Sequence, residues 1–333
     1  MKGRRFGAEN HLGMGGGTVS REVQRNLEKA EDLCRKREPE KALPYLLKAM
    51  EDDNNLDAFV PSGNSLSQQA RYRTIVYHIC GIFSKSPCEA KGREGLQRLL
   101  GKNCFDGSTA KEYDGRCYRL LETRSFMRVL QAQVHLYCEN GLYDKSTEAI
   151  IKMLRLCPGD NLGQRSWLGS VLLHCNRPSD ALSFAHTWLV QRHEVPRGGT
   201  NFTASSSACL SSSQEESMSK YGNGAMAHTA AIASFKVFGD CDLSRHYVCF
   251  FVAYVFLVTG SLNISSRALN GPEDAQDYLF LTQDLWMEPA VWEWANSAEE
   301  AKRILFKTCA NADCGAVETD VAQFKRCAAC KEV

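Results

Sequence analysis

The sequence predicts a mainly α protein: an array of helical hairpins followed by a short cysteine-rich tail built to bind a metal. Three observations lead there. Apolar residues recur at helical spacing in paired segments, each pair joined by a short polar turn. The layout returns at a fixed offset of 35 residues, from Ser146 to Ala181. The 25 residues from Cys309 to Val333 carry four cysteines as C-x4-C-x12-C-x2-C.

The first 19 residues, Gly-rich and without period, predict a disordered tail. A helix is expected to start at Ser20, whose hydroxyl suits an N-cap, with Glu22 placed where a carboxylate meets the positive end of the helix dipole. Leu27, Ala30 and Leu33 then share one face. After the polar turn RKREPE, Ala42, Leu46 and Ala49 repeat the spacing on a second helix. Small residues at the crossing points let two such helices approach closely. In MRVLQAQVHLYCENGLYDKSTEAIIKMLRLCPGDN the same layout returns. Leu130, Val134 and Tyr137 lie before the turn ENGLYD, and Ser146, Ile150 and Met153 after it. A third copy, RSWLGSVLLHCNRPSDALSFAHTWLVQ, carries Gly169, Leu172, Ala181, Ala185 and Trp188.

These three units resemble tetratricopeptide repeats, whose period is about 34 residues. Ser146 stands where that family usually has Ala, and Asn54 where it has a closing Pro. The resemblance implies stacked hairpins that bury a continuous core and leave a concave groove for a partner. An unrelated helical bundle is the other architecture with Ala and Leu at these spacings. Residues 61–124 are expected to be helical without belonging to a repeat.

Residues 196–220 are rich in Ser and Gly and read as a linker or surface loop. Helix resumes in AMAHTAAIASFKVFG at 225–239. The following stretch, CDLSRHYVCFFVAYVFLVTGSLN, begins like the second helix of a hairpin. It then becomes a run of Val, Phe and Tyr that favours strand over helix. Such a conflict counts against clean folding, and one reading is that 248–262 is translated intron sequence. Trp286, Trp292 and Trp294 are expected to pack on the preceding helices, with a peptide-binding aromatic groove as the alternative. Ser297 and Glu300 make a capping box that predicts a helix over 297–307. The expected organisation is thus a tail at 1–19, a helical-repeat domain at 20–195, a linker at 196–220, a further helical region at 221–307 and the cysteine-rich segment at 308–333.

Composition narrows the function classes. Forty basic and 39 acidic residues leave a net charge of +1, which gives no electrostatic case for a nucleic-acid partner or an anionic membrane surface. No run reaches the roughly 18 apolar residues of a membrane span; the nearest, at 247–258, reads as a buried strand or helix. Fifteen cysteines without a signal-peptide pattern predict an intracellular protein, cytoplasmic or nuclear, with reduced thiols. The scattered ones, Cys34, Cys80, Cys138, Cys157 and Cys249, read as small buried hydrophobes.

The four tail cysteines differ because they come in pairs. Cys327 and Cys330 form a two-residue knuckle that lets two thiolates grip one tetrahedral zinc ion, and Cys309 and Cys314 form a wider one. Lys325, Arg326 and Lys331 flank the second pair, and cationic neighbours favour thiolate. Zinc is the expected cofactor. A thioredoxin-type redox pair at Cys327 and Cys330, or thiols that bind no metal, are the competing uses.

The segment CGAVETDVAQFKRCAACKEV resembles the first half of a MYND-type zinc finger, with Phe before Lys-Arg-Cys and a basic residue and Val after the fourth Cys. The resemblance implies two cross-braced zinc ions. Cys309 and Cys314 would give half of the first site, and Cys327 and Cys330 half of the second; their partners would follow Val333. The sequence is therefore expected to stop within the finger. A single all-thiolate ion on these four cysteines is the other arrangement, since a twelve-residue loop closes at modest entropic cost. MLRLCPGDNLGQRSWLG and LNGPEDAQDYLFLTQDLWM extend the resemblance to fungal MYND-finger proteins with a helical-repeat body.

The expected function is that of an adaptor: a helical body and a finger that bind proteins or peptides, the latter proline-rich in the finger's family. No catalytic residue is expected. The main alternative is a lysine methyltransferase, since one MYND-containing family joins the finger to a SET domain. Its Asn-His-Ser and Gly-Glu-Glu-x-x-x-Tyr segments are missing, and Asn10-His11 lies in the N-terminal tail. GMGGGTVS, at 13–20, is Gly-rich before a helix but lacks the Lys of a phosphate loop. His174 and Cys175 read as packed on an apolar helix, and His246 has no evident partner.

Overall fold

The structure is a computed structural model, and it describes residues 19–36, 38–52, 55–59, 87–100, 115–190, 202, 210–213, 215–216, 224–249, 272–298, 309, 316 and 318. Regular structure among these residues is helical throughout. The chain divides into two compact units, the first made of Met1–Arg165 with Arg197–Gly199, the second of Ser166–Pro196 with Thr200–Val333. The expected 20–195 domain spans this division, which falls at the start of its third hairpin.

In the first unit, α1 (Arg21–Arg35) and α2 (Pro39–Met50) pair as a hairpin. Ser20 caps α1 as expected: its extended backbone places Oγ to accept from the Val23 N–H at 3.3 Å. Leu27, Ala30, Leu33, Ala42, Leu46 and Ala49 all face the seam, none more than 8% exposed. Pro39 starts α2, where its missing N–H costs nothing, but Pro44 sits inside the helix on the solvent side. Then come α3 (Pro87–Leu100), α4 (Leu121–Glu139) and α5 (Tyr143–Leu156). The α4–α5 pair is the second hairpin, and α3 packs on α4, with Gly92 lying against the Phe126 ring. Leu130, Val134, Ile150 and Met153 are buried as their spacing predicts. Tyr137 is only half-buried, with the Lys145 ammonium 5.9 Å from its ring centre, and Leu136 turns inward instead.

A short 3-10 turn, Leu56–Phe59, is inserted against α4. Its Asp57 carboxylate is buried and receives both arms of the Arg128 guanidinium from α4, at 2.5 and 2.7 Å, and the Ser125 hydroxyl at 3.1 Å. A fork-to-fork pair of this kind fixes orientation as well as distance.

The second unit contains α6 (Arg165–His174), which begins at the division, α7 (Pro178–Val190), α8 (Gly224–Phe238), α9 (Asp242–Cys249), α10 (Pro272–Trp286) and α11 (Pro289–Asn296). At its centre lies α8, buried from Ala225 to Ser234 on every side and packed on α7, α9 and α10. A helix apolar all round is what a central position requires. Gly169 of α6 meets α8 so closely that a Cβ would stand 2.5 Å from the Thr229 methyl. Trp286 and Trp294 are buried and stacked, ring centres 6.5 Å apart, and Trp294 also stacks on Phe235 at 4.4 Å. These two tryptophans therefore serve packing, in line with the first expectation for them. Of the Val/Phe/Tyr run, Tyr247 and Val248 are buried in α9, and 250–262 lie outside the described residues.

Ser297 behaves differently from a helix N-cap. It closes α11 in right-handed backbone conformation, and its hydroxyl donates to the Trp294 carbonyl at 2.7 Å and accepts from Arg245 at 2.8 Å. Glu300 and the helix expected over 297–307 fall outside the described residues. So do the expected tail (up to residue 18), most of the 196–220 linker, and 61–86.

The three hairpin turns share one hydrogen-bond frame. The N–H of Glu38 bonds to the Leu33 carbonyl, that of Leu142 to Tyr137, and that of Arg177 to Leu172, at 3.0, 2.8 and 2.9 Å. In each turn a second bond opens the following helix: Ala42 to Glu38, Ser146 to Leu142, and Ala181 to Arg177. A third bond ends the preceding one: Lys36 to Asp32, Asn140 to Leu136, and Cys175 to Val171. Gly141 and Asn176 take the left-handed backbone such a turn needs, at φ of 68° and 55°. Ala42, Ser146 and Ala181, one at the same place in each frame, are all fully buried.

Candidate metal centre and buried polar groups

Of the four cysteines with ligand spacing, the described residues include Cys309. Its thiol is free and partly buried, and its backbone N–H donates to the Ala316 carbonyl at 2.8 Å. Glu318, just beyond, is buried at 3% exposure. Cys314, Cys327 and Cys330 lie outside the described residues, as do Lys325, Arg326 and Lys331. Among the described residues no three His, Cys, Asp or Glu side chains converge on a point that could hold a metal. With zinc bound, the cysteines would supply thiolate ligands, and the ion would order a segment too short to build its own core.

Elsewhere the described cysteines behave as expected of reduced thiols. Cys34, Cys117 and Cys157 are buried; Cys138, Cys175 and Cys241 are half-buried. Cys138 lies 3.1 Å from the Ser146 hydroxyl, so thiol and small residue fill the α4–α5 seam together.

The turn before α6 is held by Asp160, itself left-handed at φ 50°. Its carboxylate accepts from the N–H groups of Gln164 at 2.8 Å and Arg165 at 2.7 Å, satisfying donors at the start of the helix. Burial pushes this carboxyl up, and the two N–H groups pull it back down.

Three histidines of the second unit occupy distinct environments. His174 faces the Leu281 carbonyl with Nε2 at 2.8 Å; a carbonyl only accepts, so Nε2 carries the proton, and Nδ1 lies 3.5 Å from Asp284. It is packed, as its apolar helix predicts. His186 shares a hydrogen bond of 3.0 Å with the Tyr247 hydroxyl, and burial pushes the histidine down and the phenol up. His228, on α8, is fully buried, and neither ring nitrogen has a hydrogen-bond partner. The Tyr278 ring stacks on it at 6.0 Å and the Trp286 ring meets it edge-on at 5.8 Å. Burial alone takes its pKa down to about 4. Sequence reasoning passes over His228 because it stands in an alanine-rich helix with no motif. Its one signal is a titratable ring within AMAHTAAIAS, where every other residue is aliphatic or a small hydroxyl.

His246 lies 3.9 Å from the Glu215 carboxylate, the partner that the sequence did not reveal. None of the described helices is long and apolar enough to cross a membrane. No protein-family model matches the chain, and neither the curated proteins nor the solved structures yield a match.

Proposed function

We propose that this chain is a protein-binding adaptor that works inside the cell, in cytoplasm or nucleus, with a tetratricopeptide-like helical body and a MYND-type zinc-binding tail. The observation that carries the body's part is the turn frame shared by its three hairpins, with a small residue buried at the same place in each. Units that repeat their turn and their seam are suited to stacking, and stacked hairpins present grooves that take extended or helical peptides. The tail's part rests on the spacing of Cys309, Cys314, Cys327 and Cys330. In this reading the protein performs no catalysis; it joins a peptide partner, proline-rich at the finger, to whatever the helical body holds.

The test begins with metal. Protein purified without added zinc should carry the ion, measured by plasma mass spectrometry, and the Cys327→Ser/Cys330→Ser variant should lose it. Equal, negligible zinc in both removes the finger and leaves a helical scaffold. Fluorescence anisotropy with a labelled proline-rich peptide then reads the partner class, with binding expected only for the zinc-loaded form.

A further inference from the structure

The least expected side chain in the second unit is His228. A polar ring that is fully buried ordinarily finds a hydrogen-bond partner. This one has two nitrogens without any, and aromatic rings from α10 on two sides. While neutral it packs as an aromatic; a second ring proton would place an unpaired charge in the apolar centre of the unit, at a cost that burial makes large.

We propose that His228 makes the second unit acid-sensitive: protonation of its imidazole forces α8 and α10 apart, so that mild acid opens the helical packing around it.

Among the described side chains, none is bonded to either ring nitrogen to share the charge. Of the helices packed on α8, α7 carries Asp180 and His186, and α9 carries Asp242, Arg245, His246 and Tyr247. α10 carries Glu273, Asp274, Asp277, Tyr278 and Asp284, and α6 carries Arg165 and His174. Arg245 is committed to Asp240, His186 to Tyr247, and His174 to the Leu281 carbonyl, with Asp284 beside it. Among the described residues only Tyr278 touches the His228 ring with a titratable group, and a neutral phenol cannot compensate an imidazolium. Burial is the cause of its downward shift.

The sign follows from the depressed folded-state value. Above the ordinary histidine pKa of 6.5 both folded and unfolded chains are neutral at this position and nothing is lost. As pH falls below 6.5 the unfolded chain takes the proton first, and stability drops until the folded value of about 4 is reached. Between pH 7 and pH 5 the unfolding equilibrium constant should rise about twentyfold from this residue alone. His186, also lowered by burial, adds loss of the same sign.

The experiment uses the full chain. All five tryptophans, Trp167, Trp188, Trp286, Trp292 and Trp294, lie in the second unit, so intrinsic fluorescence reports on that unit. Urea unfolding is followed at pH 7 and pH 5 for the wild type and for His228→Phe, which keeps a ring and removes the proton site. The wild type should lose about twentyfold more in its unfolding constant than the variant; equal losses overturn the proposal. Should His228→Phe not fold, exchange of the imidazole C2 hydrogen, read residue by residue by mass spectrometry in the wild type, decides. Very slow exchange at His228 from pH 5 to pH 7 supports the proposal, and a titration midpoint near 6.5 sinks it.

Discussion

At the scale of single residues, Gly169 meets Thr229 with no room for a side chain between them. A methyl at position 169 would stand 2.5 Å from the threonine methyl and 3.1 Å from its hydroxyl, too near for either to stay. Gly169→Ala should cost about 1–3 kcal/mol, the range for overpacked cores. Thr229→Ser, which removes the obstructing methyl, should recover part of the loss in the double variant. A double-mutant cycle from urea melts checks the coupling; strict additivity would refute the contact. Pro44 works the other way. Past the first turn of α2 it deprives the helix of one bond while facing solvent. Pro44→Ala should therefore stabilise the first unit, by up to about 3 kcal/mol, seen as a higher melting temperature.

At the scale of elements, the 3-10 turn Leu56–Phe59 is fastened to α4 by Asp57, Arg128 and Ser125. Arg128→Met strands a carboxylate that is only 7% exposed and should cost about 3–5 kcal/mol. Adding Asp57→Asn should return much of it, because the pair matters less than the orphan. Chemical denaturation of both variants, monitored by far-UV circular dichroism, gives the comparison. The helices themselves could be read from sequence, since Leu27, Ala30, Leu33, Ala42, Leu46 and Ala49 show the 3.6-residue period of half-buried helices. That signal fades when a helix is wrapped on all sides. On α8 nothing in the period distinguishes His228 from its alanine neighbours, so its isolation emerges only once α10 lies beside it. Ser297 shows the opposite failure. A serine three residues before a glutamate looks like a helix start, yet the carbonyl of Trp294 and the guanidinium of Arg245 have claimed the hydroxyl for a helix end.

At the scale of the whole molecule, the zinc proposed for the tail should load and leave without disturbing the described helices. The described helices are held by side-chain packing, ion pairs and turn bonds, with no metal cluster among them. Stripping metal with a chelator should leave the far-UV helical signal unchanged while zinc leaves the tail. A large loss of helicity would mean that the tail takes part in the body's fold. The paired spacing of the tail cysteines is legible in the sequence because a knuckle needs short, fixed separations. Their arrangement in space is not, since it depends on the path of the chain between the pairs. The common turn frame imposes a further condition on this protein's evolution. Each hairpin's second helix is phased by a five-residue span, from Leu33 to Glu38, Tyr137 to Leu142 and Leu172 to Arg177. Deleting one residue inside such a span would rotate everything after it by about 100°, swinging Ala42, Ser146 or Ala181 off its partner. Length drift in this lineage should therefore be tolerated between hairpins and purged within them.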